Sequence, residues 1–148
     1  VSPYLYHLGT EPMAGDFDGH YLYARARGGR AAVKNFIMDG RIVVGIGNIY
    51  ASEALFRSGI RPTRAAGRIA LERYGLLVTA IQSVLGEAIA AGGTTLRDYS
   101  RVTGEPGYFE QALKVYARQG QPCEDCGNLI NRKVIGQRAS YYCPSCQH

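Results

Sequence analysis

Residues 123–146 read CEDCGNLINRKVIGQRASYYCPSC and gather all four cysteines of a 148-residue chain into two C-x-x-C pairs. The full spacing is C-x2-C-x16-C-x2-C, which falls in the range of a four-thiolate zinc site. Two intervening residues let both sulfurs of a tight knuckle face one ion. Four thiolates at about 2.3 Å then complete tetrahedral Zn2+ with no open position. A closed site of this kind holds together a segment too small for its own core, and it cannot activate water. The competing readings are two disulfides or a redox C-x-x-C, the latter needing a βαβ setting that this tail lacks. Cys123, Cys126, Cys143 and Cys146 are therefore expected to hold one structural Zn2+.

Between the cysteine pairs, NLINRKVI and QRASYYC flank Gly136, the pattern of a β-hairpin with the cysteines at its base. KVYAR, beginning at Lys114, has similar β-branched character and is read as part of the same β unit. Arg132, Lys133 and Arg138 fall in or near the hairpin tip, with Tyr141 and Tyr142 following. A charged tip is commonly just solvated, but an arginine two residues past the turn glycine is well placed to grip a phosphate.

Working back from the cysteines, ALERYGLLVTAIQSVLGEAIAAGG carries Leu71, Tyr74, Val78, Ile81, Leu85 and Ala88 at steps of 3, 4, 3, 4, 3. That period predicts a helix over 70–91 with one apolar face turned to the core, stopped by Gly92-Gly93. RGGRAAVKNFIMDG predicts a helix ending at Asp39-Gly40. IVVGIGNIYASEALFRSG predicts a β-branched run, two glycines and a second helix with Ala51, Ala54, Leu55 and Ser58 on one face, closed by Gly59 and Pro62. Helices joined by a tight glycine turn have the general shape of a DNA-binding pair, although many helical hairpins bind nothing. Gly45 and Gly47 let the backbone come close to a ligand, and the amides opening the next helix present a positive dipole end. Asn48 is read either as a donor to the same ligand or as no more than the helix N-cap. The order of elements predicts a mainly α chain with a small β tail: 1–15 a linker, 16–112 a helical domain, 113–148 a zinc hairpin.

The net charge is +5, from 14 Arg and 3 Lys against 12 acids. A modest basic surplus dominated by guanidinium groups, which match phosphate bidentately, suits a nucleic-acid surface without establishing one. No stretch approaches the ~20 apolar residues of a membrane span, so no membrane partner is expected. VSPYLYHLGTEP lacks the basic start and apolar centre of a signal peptide, which favours the cytosol.

Taken together, LGTEPM (8–13), VVGIGNIYASEALF (43–56), GGTTLRDY (92–99), GEPGYFEQALKVYARQGQPC (104–123) and QRASYYCPSCQ (137–147) resemble the carboxy-terminal half of formamidopyrimidine-DNA glycosylase. The resemblance implies a bacterial base-excision-repair enzyme of the cytoplasm and nucleoid that acts as a monomer. It would remove 8-oxoguanine and ring-opened purines from damaged duplex DNA and cleave the abasic strand. It implies a helix–two-turns–helix DNA-binding domain followed by a one-hairpin zinc finger.

By the same resemblance, Asn48 binds phosphate beside the flipped nucleotide, next to Gly47. Arg138 binds phosphate there too and gives the proton of the δ-elimination step. Arg30 and Lys34 fall where the family has basic residues near DNA, and RVTGEPGYFE (101–110) corresponds to a loop that closes over the extruded base. The family's nucleophile is an amino-terminal proline. Here Pro3 follows Val1-Ser2, so its nitrogen is a tertiary amide, and no P-E-L-P-E string occurs. The chain is therefore expected to be a portion of the enzyme that binds DNA without turnover. Two alternatives are the related endonuclease VIII, which prefers oxidised pyrimidines, and a non-catalytic zinc-ribbon adaptor that binds protein.

Overall fold

The computed structural model describes residues 8–92 and 113–148. The lid stretch 101–110 and most of GGTTLRDY lie outside them. Four helices come first: α1 Gly19–Arg25, α2 Val33–Met38, α3 Asn48–Arg57 and α4 Leu71–Gly92, with a 3-10 turn at Ala66–Arg68. A two-stranded antiparallel sheet, β1 Asn131–Ile135 and β2 Arg138–Tyr142, follows in register Ile135↔Arg138 to Asn131↔Tyr142.

The long apolar period forms α4, and its stripe turns inward. Tyr74, Val78, Ile81, Leu85 and Ala88 are buried, joined by Leu77, Ala80 and Val84. Each buried aliphatic side chain stabilises the fold by about 1.5–3 kcal/mol. The Tyr74 hydroxyl, deep in this core, donates to the Ala66 carbonyl at 2.7 Å, so its polar end is satisfied. Against α4 pack α1 and α3; α3 brings Tyr50, Ala51, Ala54 and Leu55 into the same cluster.

α1 starts where the Asp18 carboxylate accepts the Tyr21 amide, an N-cap bond. Its buried contribution is Leu22 alone, too short an apolar pattern to stand out in sequence. α2 is also shorter than RGGRAAVKNFIMDG predicts. Residues 29–32 instead run extended and pair with 65–67, the Ala66 amide donating to Ala31 and the Gly67 amide to Gly29. The described part of the expected linker is tied down: Thr10 bridges Val43, the Gly9 amide donates to Gly40, and Gln82 of α4 donates to the Pro12 carbonyl.

KVYAR is a correction to the strand reading. Residues 114–118 form turns, with Ala117 at φ 60°. Three successive amides there, of Lys114, Val115 and Tyr116, donate to the carboxylate of Glu53 at 2.7, 2.9 and 2.9 Å. Glu53 belongs to α3 and has no exposed surface. A strand would have turned alternate amides away from one acceptor; the buried carboxylate imposes the turn.

Candidate nucleic-acid interface

The hairpin docks on the helices through α3. Phe56 leaves the main core and enters a second cluster with Val115, Cys123, Ile130 and Cys143. Polar ties close the same seam. Arg61 donates to the carbonyls of Pro144 (2.6 Å) and Gln147 (3.3 Å), and Arg73 to those of Gly59 (2.8 Å) and His148 (3.0 Å). The buried Gln147 amide bridges the Cys143 N–H and the Ile60 carbonyl, at 2.8 and 2.9 Å. Sequence reading missed Glu53, Arg61, Arg73 and Gln147. Three of them serve backbone carbonyls, which leave no trace in residue identity; Glu53 left one, an acid amid the buried Ala51, Ala54 and Leu55 of α3.

Within the finger, the four cysteine sulfurs lie within 4.8 Å of one another. The Cys123–Cys146 and Cys126–Cys143 sulfurs are 3.9 and 3.4 Å apart, far beyond a disulfide bond. Tetrahedral Zn2+ with 2.3 Å bonds separates its sulfurs by about 3.8 Å, so one ion fits at their centre. The amides of Asp125 and Cys146 point at the Cys123 and Cys143 sulfurs, both at 3.4 Å, and support thiolate charge. The site is structural: four protein sulfurs leave no coordination position for a reacting group.

Gly136, at φ 66°, makes the left-handed turn between β1 and β2, and the space a side chain would need there is filled by the Asn35 amide of α2. That contact brings the hairpin tip over the start of α3. Asn35, Met38, Asp39, Ile46, Gly47, Ile135, Gly136, Gln137 and Arg138 line an open groove of about 510 Å3 between them. Gly45, at φ 82°, turns the chain into α3, and Gly47 is the N-cap, without a side chain to cap the amides that follow.

Asn48 is therefore not the cap. Its Nδ2 donates to the Ala139 carbonyl of β2 at 2.9 Å, and its Oδ1 accepts from the Lys34 ammonium in a short hydrogen bond. Lys34 reaches the same Ala139 carbonyl at 3.5 Å. Lys34 has no exposed surface, and burial, followed by repulsion from the Arg138 guanidinium, holds its amine down at about 8. Arg138 is exposed, and its guanidinium makes no hydrogen bond or ion pair among the described residues. Arg30 is exposed on the extended stretch before α2. The geometry thus brings Gly47, Asn48, Lys34 and Arg138 together and does not include Arg30 among them.

A glycine elbow at a helix N-terminus, an amide with a spare N–H and an unpaired guanidinium are donors of the kind that can receive an anionic group. Residues 8–100 match the model of the formamidopyrimidine-DNA glycosylase H2TH domain, and residues 120–148 match the zinc finger found in FPG and IleRS. The formamidopyrimidine-DNA glycosylase of Syntrophotalea carbinolica is 62% identical over 143 residues, covering 97% of this chain and 53% of that protein. That of Magnetococcus marinus is 56% identical, with 98% and 53% covered.

Among solved structures, MutM (Fpg) from Thermus thermophilus superposes with TM-score 0.84 at 38% identity, covering 98% of this chain and 55% of that one. Lactococcus lactis Fpg in complex with abasic-site DNA superposes equally well, at 31% identity with 98% and 54% covered. The chain belongs to the formamidopyrimidine-DNA glycosylase family and spans about half the length of the relatives it matches. Among the described residues, no helix is long and apolar enough to cross a membrane.

Proposed function

We propose that this chain is the DNA-gripping part of a repair glycosylase that excises oxidised purines and then nicks the abasic strand by β,δ-elimination. Its partner is damaged double-stranded DNA, met in the bacterial cytoplasm and nucleoid by a monomer. The observation that carries the reading is the convergence of Gly47 and the unpaired Arg138 on one groove, with Asn48, next to Gly47, bonded to Ala139, next to Arg138. An Asn amide nitrogen has two N–H groups; one goes to Ala139 and the other is available to a phosphate oxygen at the mouth. Arg138 supplies a forked cationic donor to the same oxygens, and by the family resemblance it gives the proton of the δ step. Arg30 adds a peripheral backbone contact.

A sugar carbon is attacked by an amine lone pair. Pro3 is acylated on nitrogen in this chain, and Lys34 is enclosed. We assign the attacking amine to another part of the whole protein, as the family resemblance implies and in keeping with relatives nearly twice as long. On its own the chain is expected to bind and not to turn over. A borohydride-trapped adduct with an 8-oxoguanine duplex would refute that.

Fluorescence anisotropy with an abasic-site duplex tests the interface. Wild-type affinity is expected to fall steeply between 50 and 200 mM salt. Asn48→Ala and Arg138→Ala are each expected to weaken it about tenfold or more, the loss of one charge-assisted contact. A protein-binding zinc ribbon would show no affinity for the duplex and no response to either change. In the full-length enzyme, 8-oxoguanine is expected to be released in preference to thymine glycol; the reverse order would point to the endonuclease VIII type.

A further inference from the structure

Lys34 is unusual for a lysine in what it lacks. It is enclosed completely, yet among the described residues its ammonium meets only neutral oxygens, the Asn48 amide and the Ala139 carbonyl. A buried cation is ordinarily matched by a carboxylate. The acids nearby are committed elsewhere. Glu53, one turn further along α3, turns both oxygens to the amides of 114–116. Asp39, which follows α2, is paired with Arg41 at 2.8 Å. The other charge facing Lys34 is Arg138 on β2, which repels it. From the 61–64 loop, whose Pro62 carbonyl accepts the Lys34 amide, Arg61 points away to the finger carbonyls and Arg64 is exposed. Among the described residues there are thus two cations beside Ala139, one enclosed and one at the surface, with no acidic partner for the enclosed one.

We propose that Lys34 is a positioning residue whose counter-charge is the bound DNA backbone: it locks the Asn48 amide and the hairpin at Ala139, and backbone binding stabilises its charged form. It rests on the reading of Asn48 and Arg138 as phosphate ligands but gives Lys34 no contact with DNA. The lock follows from hydrogen-bond polarity. An ammonium has donors only, so it fixes Oδ1 of Asn48 toward itself and forces Nδ2 toward Ala139, leaving the second N–H aimed outward. The charge follows from burial. Desolvation weakens the ammonium's hold on its proton in the free chain, and an arriving phosphate reverses that. Binding at pH near 8 therefore takes up a proton.

Two opposite pH dependences result. In the free chain the folded state holds fewer protons than the unfolded state between about pH 8 and 10.5, so its stability rises with pH through that window. DNA affinity moves the other way. If only the charged form binds, the dissociation constant grows roughly 30-fold from pH 7 to 9.5.

The experiment is anisotropy with a duplex carrying a stable abasic analogue, at constant ionic strength from pH 6.5 to 9.5. Four proteins are compared: wild type, Lys34→Met, Lys34→Arg and Arg138→Ala. Wild type should lose affinity above pH 8. Lys34→Met should bind about tenfold more weakly at pH 7 and show no such loss. Lys34→Arg keeps charge without titrating and should be flat with pH. NMR of the Lys34 side chain supplies a check independent of any variant's folding: its apparent pKa should rise when the duplex is added. A wild-type profile as flat as that of Lys34→Met, or a side-chain pKa unmoved by DNA, overturns the proposal. Full binding by Arg138→Ala would instead remove the phosphate site on which it rests, so the two failures are distinct.

Discussion

The helical body and the finger are held together by different physics. The body packs Leu22, Ile37, Leu55, Leu77, Ile81 and Leu85 into one apolar cluster with essentially no exposed surface. The finger's own cluster is Phe56, Val115, Cys123, Ile130 and Cys143; two of those five are metal ligands and a third belongs to α3. One region folds by excluding water, and the other requires an ion and a neighbour. The difference places the groove where it is: the tip of a metal-held hairpin is set, through Asn35, Asn48 and Ala139, against helices that do not need the metal.

The sharpest way to break the comparison is to remove zinc. A structural site contributes its binding free energy to folding, on the order of 10 kcal/mol. Chelation is expected to abolish DNA affinity and to collapse the chemical-shift dispersion of the amides of 123–146. The helical signal in far-ultraviolet circular dichroism should largely persist. Loss of both together would make the finger and the body one cooperative unit.

Leu77→Ala attacks the other side. Leu77 is fully buried on α4, and its truncation should cost about 2–5 kcal/mol in denaturant unfolding. The cysteines should still bind zinc with their native stoichiometry. Glu53→Ala addresses the seam itself. It strands three amides that a buried carboxylate now accepts, and should cost roughly 1–3 kcal/mol. Hydrogen exchange is expected to rise at 114–116 before it rises in α4. Smallest is Glu87→Gln, which opens a two-bond ion pair with Arg57 at 2.5 and 2.9 Å. With Glu87 half exposed, the loss should be about 0.5 kcal/mol and should shrink further in salt.

Sequence legibility follows the same division. The period of α4 and the cysteine spacing are local patterns, and the structure has both where they predict them. α1 was not legible because it buries Leu22 alone, and the brevity of α2 was not because it is fixed by partners dozens of residues away, 29–32 against 65–67. KVYAR reads as a strand by composition and is a turn because of one distant carboxylate.

The arginine surplus was legible as a count but not as a destination. Arg61, Arg73 and Arg118 are spent on backbone carbonyls, and Arg57 on Glu87. The exposed, unpaired Arg138 carries the phosphate argument. Asn48 showed neither of its partners in sequence, since Lys34 and Ala139 stand 14 and 91 residues from it.

The most direct measurement is a double-mutant cycle on DNA affinity with Asn48→Ala, Arg138→Ala and the pair, using an abasic-site duplex at fixed salt. If elbow and hairpin hold one phosphate between them, the combined loss will differ from the sum of the single losses by about 1 kcal/mol or more. Two losses that add within experimental error, or no loss at all, would contradict a shared grip.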